Sequence, residues 1–197
     1  MPRSEEANRQ IRDERRRQIL HAAAVVFARK GLALTRISDI AEASGISQGL
    51  IYRYFSSKEE LFKALVETAL DRSQTGLQQL REQAGTPWEK LSRLTAYMWE
   101  GMRRQPAYVH VVLHALIGET VPEEIRGLVQ YHVRESQAFF RELIVEGQRA
   151  GQVVAGDPDE LTLLYGSLML GLASGAWFIN SSVTQPSVEG ILRILKG

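Results

Sequence analysis

The stretch SGISQGLIYRYFSSKEEL, residues 44–61, holds Gly45, an apolar Ile51, a tyrosine and arginine pair, and a helix-start signal. Gly45 can take the positive φ of a tight turn, and Ser47 can cap a helix running to about Tyr54. Upstream, Thr35 can cap a short helix through Ser44. Downstream, Ser57 and Glu60 have capping-box spacing and open a long helix past Leu61, Leu65, Ala69, Leu77 and Leu80 towards Gly85. Two short helices joined by a glycine-containing turn make a helix-turn-helix. Ala41 is small where such helices cross, and Ile40, Ile46 and Ile51 supply apolar contacts between them.

With Ile51 facing inward, a rotation of about 100° per residue puts Gln48, Gly49, Leu50, Tyr52 and Arg53 on the outer face of the second helix. These residue types suit a base edge. Gln pairs with adenine, Arg with guanine, Leu touches a thymine methyl, and Gly lets backbone approach closely. The Tyr52 hydroxyl, the helix start at Thr35 and Arg36, and the helix start at Lys58 are expected to hold phosphates, which position a protein without reading sequence.

The segment TRISDIAEASGISQGLIYRYFSSKEELF resembles the N-terminal domain of the TetR (tetracycline repressor) family of bacterial transcriptional regulators. The pattern T-x-x-x-x-I-A-x-x-x-G-[IV]-S-x-x-x-[IL]-Y-x-[YH]-F-x-[SN]-K is more specific than a generic helix-turn-helix, and the resemblance runs from about Arg17 to Leu65. It implies a homodimeric repressor of a double-stranded DNA operator, released when a small molecule binds the C-terminal domain. It also implies that Gln48, Gly49, Leu50, Tyr52, Arg53, Tyr54 and Lys58 contact DNA. Arg36 and Leu50 stand where relatives often carry small hydroxyl residues, which leaves the operator sequence open.

The rest of the 197-residue chain reads as helix at about 87–104, 106–117, 122–150, 158–181 and 186–196, with Pro87, Pro106, Pro122, Pro158 and Pro186 near the starts. Upstream, Ile19, Leu20, Ala23, Ala24 and Phe27 stripe a helix over 14–30 that Gly31 can close. The expectation is an all-α protein of about nine helices. Residues 1–56 form the DNA-binding domain, and residues 57–197 a larger domain for ligand and dimerisation. The composition, 44% hydrophobic and 24% charged, suits globular domains. Residues 1–60 carry eleven Lys/Arg against eight Asp/Glu, so the basic excess sits at the DNA-binding end.

Without cysteine, the chain has no disulfide or thiolate chemistry. No G-x-S-x-G, phosphate-binding glycine loop or dinucleotide fingerprint occurs, so an enzyme is not expected, nor a cofactor. The charged N-terminus leads into no secretory apolar region, which makes the cytoplasm the default location. His110 and His114 lie one helical turn apart but lack a third ligand, so they read as pocket or core residues rather than a metal site.

Large apolar side chains crowd the central helices, as core or as pocket. The resemblance favours a pocket, and the excess of large apolar over polar side chains points to a hydrophobic or amphipathic effector, with Trp99, Met102, Tyr108, His110, His114 and Phe139 as candidates. A dimeric DNA-binding protein without a ligand is the alternative. The uncharged run LTLLYGSLMLGLASGAWFI, residues 161–179, has polar interruptions, an acidic lead-in and no basic flank. It reads as a buried subunit interface rather than a membrane span. Leu168, Gly171, Gly175 and Phe178, together with Ile191, Leu192 and Leu195 of the last amphipathic helix, are the candidate dimer residues.

Overall fold

The computed structural model describes residues 5–178 and 186–197, and of Glu5, Ala176, Trp177 and Phe178 only the backbone. Nine α-helices follow one another in the described residues. They are α1 (Glu5–Leu34), α2 (Ile37–Ser44), α3 (Gln48–Tyr52), α4 (Lys58–Glu82), α5 (Pro87–Arg104), α6 (Pro106–Ile117), α7 (Glu123–Arg149), α8 (Pro158–Phe178) and α9 (Val188–Leu192). A 3-10 turn, Arg193–Leu195, closes the chain.

Local signals set most starts. Ser57 Oγ accepts from the Glu60 amide at 3.0 Å, and the Glu60 carboxylate turns back to accept from the Ser56 amide and hydroxyl at 2.6 Å each. Thr86 and Glu89 form a reciprocal capping box ahead of Pro87. The first helix departs from expectation at its start. It begins at Glu5 and continues to Leu34, with Gly31 inside it at φ 68, ψ 177, a conformation open to glycine and closed to nearly everything else. Gly31 thus closes the long helical stretch, and a short second stretch follows it across a kink to Leu34.

The core lies in two clusters. The first joins α1, α2, α3, the N-terminal part of α4, α6 and the start of α7 through Ile19, Phe27, Ile40, Ile51, Phe62, Val111 and Val129. The Phe27 and Phe62 rings meet edge to face at 5.1 Å. Helix-turn-helix residues and residues of α6 thus share one core, continuous across the expected border at residues 56 and 57. The second cluster packs α5, the C-terminal half of α7, α8 and α9 through Leu91, Trp99, Phe140, Ile144, Met169 and Ile191. Tyr165 stacks on Phe140 at 3.9 Å, and its hydroxyl meets Thr95 Oγ1 at 2.9 Å, which satisfies two polar groups inside apolar surroundings. Burial pushes the Tyr165 phenol up to about 12, so it stays protonated.

The tail is tied down. Val154 donates to the Leu195 carbonyl at 3.0 Å, and Ile191, Leu192 and Leu195 are buried in their own chain. This corrects their assignment to a dimer surface, because the stripe they form is covered by the protomer itself. Leu168 packs partly on the same core. Gly171 is exposed with open space beside it and Gly175 is half-buried, while the Phe178 side chain lies outside the described residues. The apolar surface that α8 presents outward is Leu163, Leu164 and Leu170, at 65%, 51% and 47% exposure. No helix among the described residues is long and apolar enough to cross a membrane.

Candidate nucleic-acid interface

Gly45, at φ 66 and ψ 24, ends α2 in the left-handed conformation, and the Ile46 amide returns to the Ala41 carbonyl at 3.1 Å. Ser47 then starts α3, its hydroxyl accepting from the Leu50 amide at 3.3 Å. Ile51 has no exposed surface, Ile40 has none and Ile46 is buried, so the two helices are locked through these three side chains. That lock fixes the rotation of α3. Gln48, Gly49, Tyr52 and Arg53 are exposed together, and no atom lies within 4 Å of a Cβ built on Gly49. Leu50 and Tyr54 are half-buried against the first core, at the edge of this face.

Two candidates are used differently from the sequence expectation. Thr35 is buried and its hydroxyl donates to the Gly31 carbonyl at 2.6 Å, so it closes the kink in α1. Arg36 precedes α2 in its place, exposed, with its amide donating to Asp39 Oδ2 at 3.0 Å. That bond first, and the Lys30 ammonium at 3.0 Å second, hold the Asp39 carboxyl below its ordinary range. Lys58 Nζ donates to the carbonyls of Leu32, Ala33 and Thr35 at 3.0, 3.2 and 3.3 Å. A cation on the free carbonyls at a helix C-terminus is favourable for the dipole and satisfies acceptors the helix leaves over. The lysine therefore braces α4 against the end of α1.

The candidate ligand residues fall in three places. Trp99 and Phe139 are buried in the second core, where Arg81 covers the Phe139 ring at 4.7 Å, and Met102 is half-buried beside them. Tyr108 packs on the first core under the Arg72 guanidinium at 5.3 Å. His110 and His114 share an open cleft of about 450 Å³ lined also by Ala28, Arg29, Leu113, Ile117 and Ser174. It lies between α1, α6 and α8. Burial, and next the proximity of His114, hold His110 below its ordinary pKa, which favours the neutral ring. No cluster of three metal-ligating side chains occurs among the described residues.

Two contacts of α1, one with α6 and one with the end of α2, are not announced by the sequence. His114 Nε2 stands 3.2 Å from the Ala28 carbonyl, and the Gln18 side chain donates to the Ser44 carbonyl at 2.9 Å. Neither pair is close in sequence, so no local pattern announces it.

A short helix held by a buried anchor, with glutamine, glycine, tyrosine and arginine turned outward, has the geometry of a helix-turn-helix unit. Residues 19–65 match the family of bacterial regulatory proteins, tetR family. Over this segment the chain is similar to the TetR family. It is 40% identical over 102 residues to the HTH-type transcriptional regulator YfiR of Bacillus subtilis, covering 51% of this chain and 48% of YfiR. It is 36% identical over 95 residues to the HTH-type transcriptional repressor KstR2 of Mycolicibacterium smegmatis, covering 48% of this chain and 46% of the repressor. The matches thus span about half the length of these relatives, which are named as regulators and not as enzymes. The fold is shared over nearly the whole chain with AibR, solved in complex with isovaleryl coenzyme A and operator DNA. There the TM-score is 0.69 at 20% identity, covering 91% of this chain and 94% of AibR.

Proposed function

We propose that this regulator is a cytoplasmic repressor that binds a palindromic operator as a homodimer and is released by a hydrophobic or amphipathic small molecule. The exposed face of α3, fixed by the fully buried Ile51, carries the reading. Gln48 and Arg53 are its base-reading pair, Gly49 admits close backbone approach, and Tyr52 and Arg36 reach phosphates. Two such helices must be spaced to enter successive major grooves, which is the task of a dimer built on the outward apolar face of α8.

The effector reading rests on the cleft between α1 and α6. Its Leu113, Ile117 and Ala28 suit an apolar body, and its Arg29, His110, His114 and Ser174 suit a polar or anionic end. A molecule that prefers α1 and α6 apart opposes the His114 link to Ala28 and shifts the helix-turn-helix. Its binding then weakens operator binding by the same coupling free energy with which DNA weakens its own. The AibR complex, with an acyl thioester and operator DNA on this fold, supports the same class of effector.

The test is selection of a duplex from a random pool by the full chain, then titration on that site with apolar carboxylates in one arm and sugars and nucleotides in the other. Arg53→Ala should cost about 1 to 3 kcal/mol on the selected site and much less on random DNA. Release by the apolar arm supports the effector class. Release by the polar arm alone overturns it, and no release by either leaves a regulator without this ligand response.

A further inference from the structure

The helix that carries the first core begins well before that core. Residues 6–18 are exposed or half-buried, Ile19 is the first buried side chain, and the family match also starts at Ile19. Residues 6–18 thus extend α1 by about 18 Å, at 1.5 Å per residue, ahead of the segment that the family model matches. Its root is fixed. The Gln18 side chain holds the Ser44 carbonyl beside the turn into α3, and the Arg16 guanidinium lies over the Phe55 ring at 5.4 Å. The attachment of α1 to α6 lies at its other end, at Ala28 and Gly31.

The charge on this extension is segregated. At about 100° per residue, Arg9, Arg12, Arg15 and Arg16 fall within an arc of about 120°, shared over residues 5–17 with Asn8 and one acid, Glu5. Glu6, Asp13 and Glu14 lie on the other side with Arg17. Arg9 and Arg12 are exposed, while Arg15 is held to Gln18 at 2.7 Å. A row of arginines one turn apart, on a rigid helix anchored beside the recognition helix, has a spacing and charge suited to a run of phosphates.

We infer that the N-terminal extension of α1 is a second DNA-contacting element, laying Arg9 and Arg12 on the phosphate backbone flanking the half-site read by α3. The inference rests on the proposed DNA reading and adds to it a footprint longer than the helix-turn-helix alone can cover. The contact is to backbone, so it adds affinity and salt dependence without base preference.

The experiment uses the full chain and the duplex it selects, with long flanks, and compares wild type with Arg9→Gln/Arg12→Gln and Arg9→Lys/Arg12→Lys. These side chains touch no core, so folded helix content should be unchanged. For the glutamine variant, the slope of log affinity against log salt should fall by about 0.9 for each phosphate that is no longer neutralised. Hydroxyl-radical protection outside the half-site should disappear while protection within it stays. The lysine variant should keep most of both, since phosphate accepts a point charge. Unchanged slope and unchanged outer protection in the glutamine variant, with wild type binding its site, overturn this inference alone. A change in oligomeric state in place of the salt slope also overturns it, assigning the arginines to a protein contact. A wild-type chain that binds no duplex overturns both readings.

Discussion

The Lys58 ammonium sits on the Leu32 carbonyl at 3.0 Å, the shortest of three bonds by which the start of α4 closes the end of α1. A lysine in this use contributes to the rigidity of the helix-turn-helix rather than to its grip on DNA. Lys58→Met should therefore lower stability by about 1 to 3 kcal/mol, since it strips a charged donor from three carbonyls. The salt slope of DNA binding should not change. Urea midpoints with matched salt titrations check both, and a slope reduced by about one unit would return Lys58 to the phosphates.

Gly31 is the other half of this joint. Its φ of 68 with ψ 177 admits glycine, and a Cβ there would stand 3.4 Å from His114 Nδ1. Gly31→Ala should cost roughly 1 to 3 kcal/mol, by backbone strain more than by crowding. Thermal unfolding of Gly31→Ala alone and with His114→Ala separates the causes, because strain persists when the ring is removed.

The second core makes opposite predictions for two leucines. Leu192 is 1% exposed inside the protomer, so Leu192→Asp should unfold the chain, costing roughly 4 kcal/mol or more. Leu170 is 47% exposed on the outward face of α8, so Leu170→Asp should leave a folded chain that sediments as a monomer. Folded dimers of Leu170→Asp would remove that face from the proposed interface.

Acid should loosen the helix-turn-helix. The Asp39 carboxyl is held low by the Arg36 amide and then by Lys30, and Glu60 is held low by the Ser56 hydroxyl and amide. A folded pKa below the unfolded one gives stability that is full above the unfolded value and is lost as pH falls through the folded one. Wild type should therefore lose stability below about pH 4. Asp39→Asn should be less stable than wild type at pH 7, and the difference should shrink by pH 3. Denaturation midpoints at the two pH values measure it, and a constant difference would show that the carboxylate charge is not what Asp39 contributes.

The sequence by itself determined the elements and the identity of the outward face of α3. Gly45, Ser47, and Ser57 with Glu60 act on groups within four residues along the chain, so their effect is legible wherever the chain goes. The phase of Ile51 likewise put Gln48, Gly49, Leu50, Tyr52 and Arg53 outward, and all of these but the half-buried Leu50 are exposed, since one buried side chain sets the rotation of a short helix. Only the tertiary structure decided what each remaining face meets. Lys58 reaches a carbonyl 26 residues away and His114 one 86 residues away, and no spacing rule spans such distances. The stripe of Ile191, Leu192 and Leu195 announced that it must be buried, and the fold supplied its own α5, α7 and α8 as the cover, leaving Leu163, Leu164 and Leu170 outside. Amphipathicity records the area a helix must hide from water, which is the same whether the cover comes from its own chain or from another.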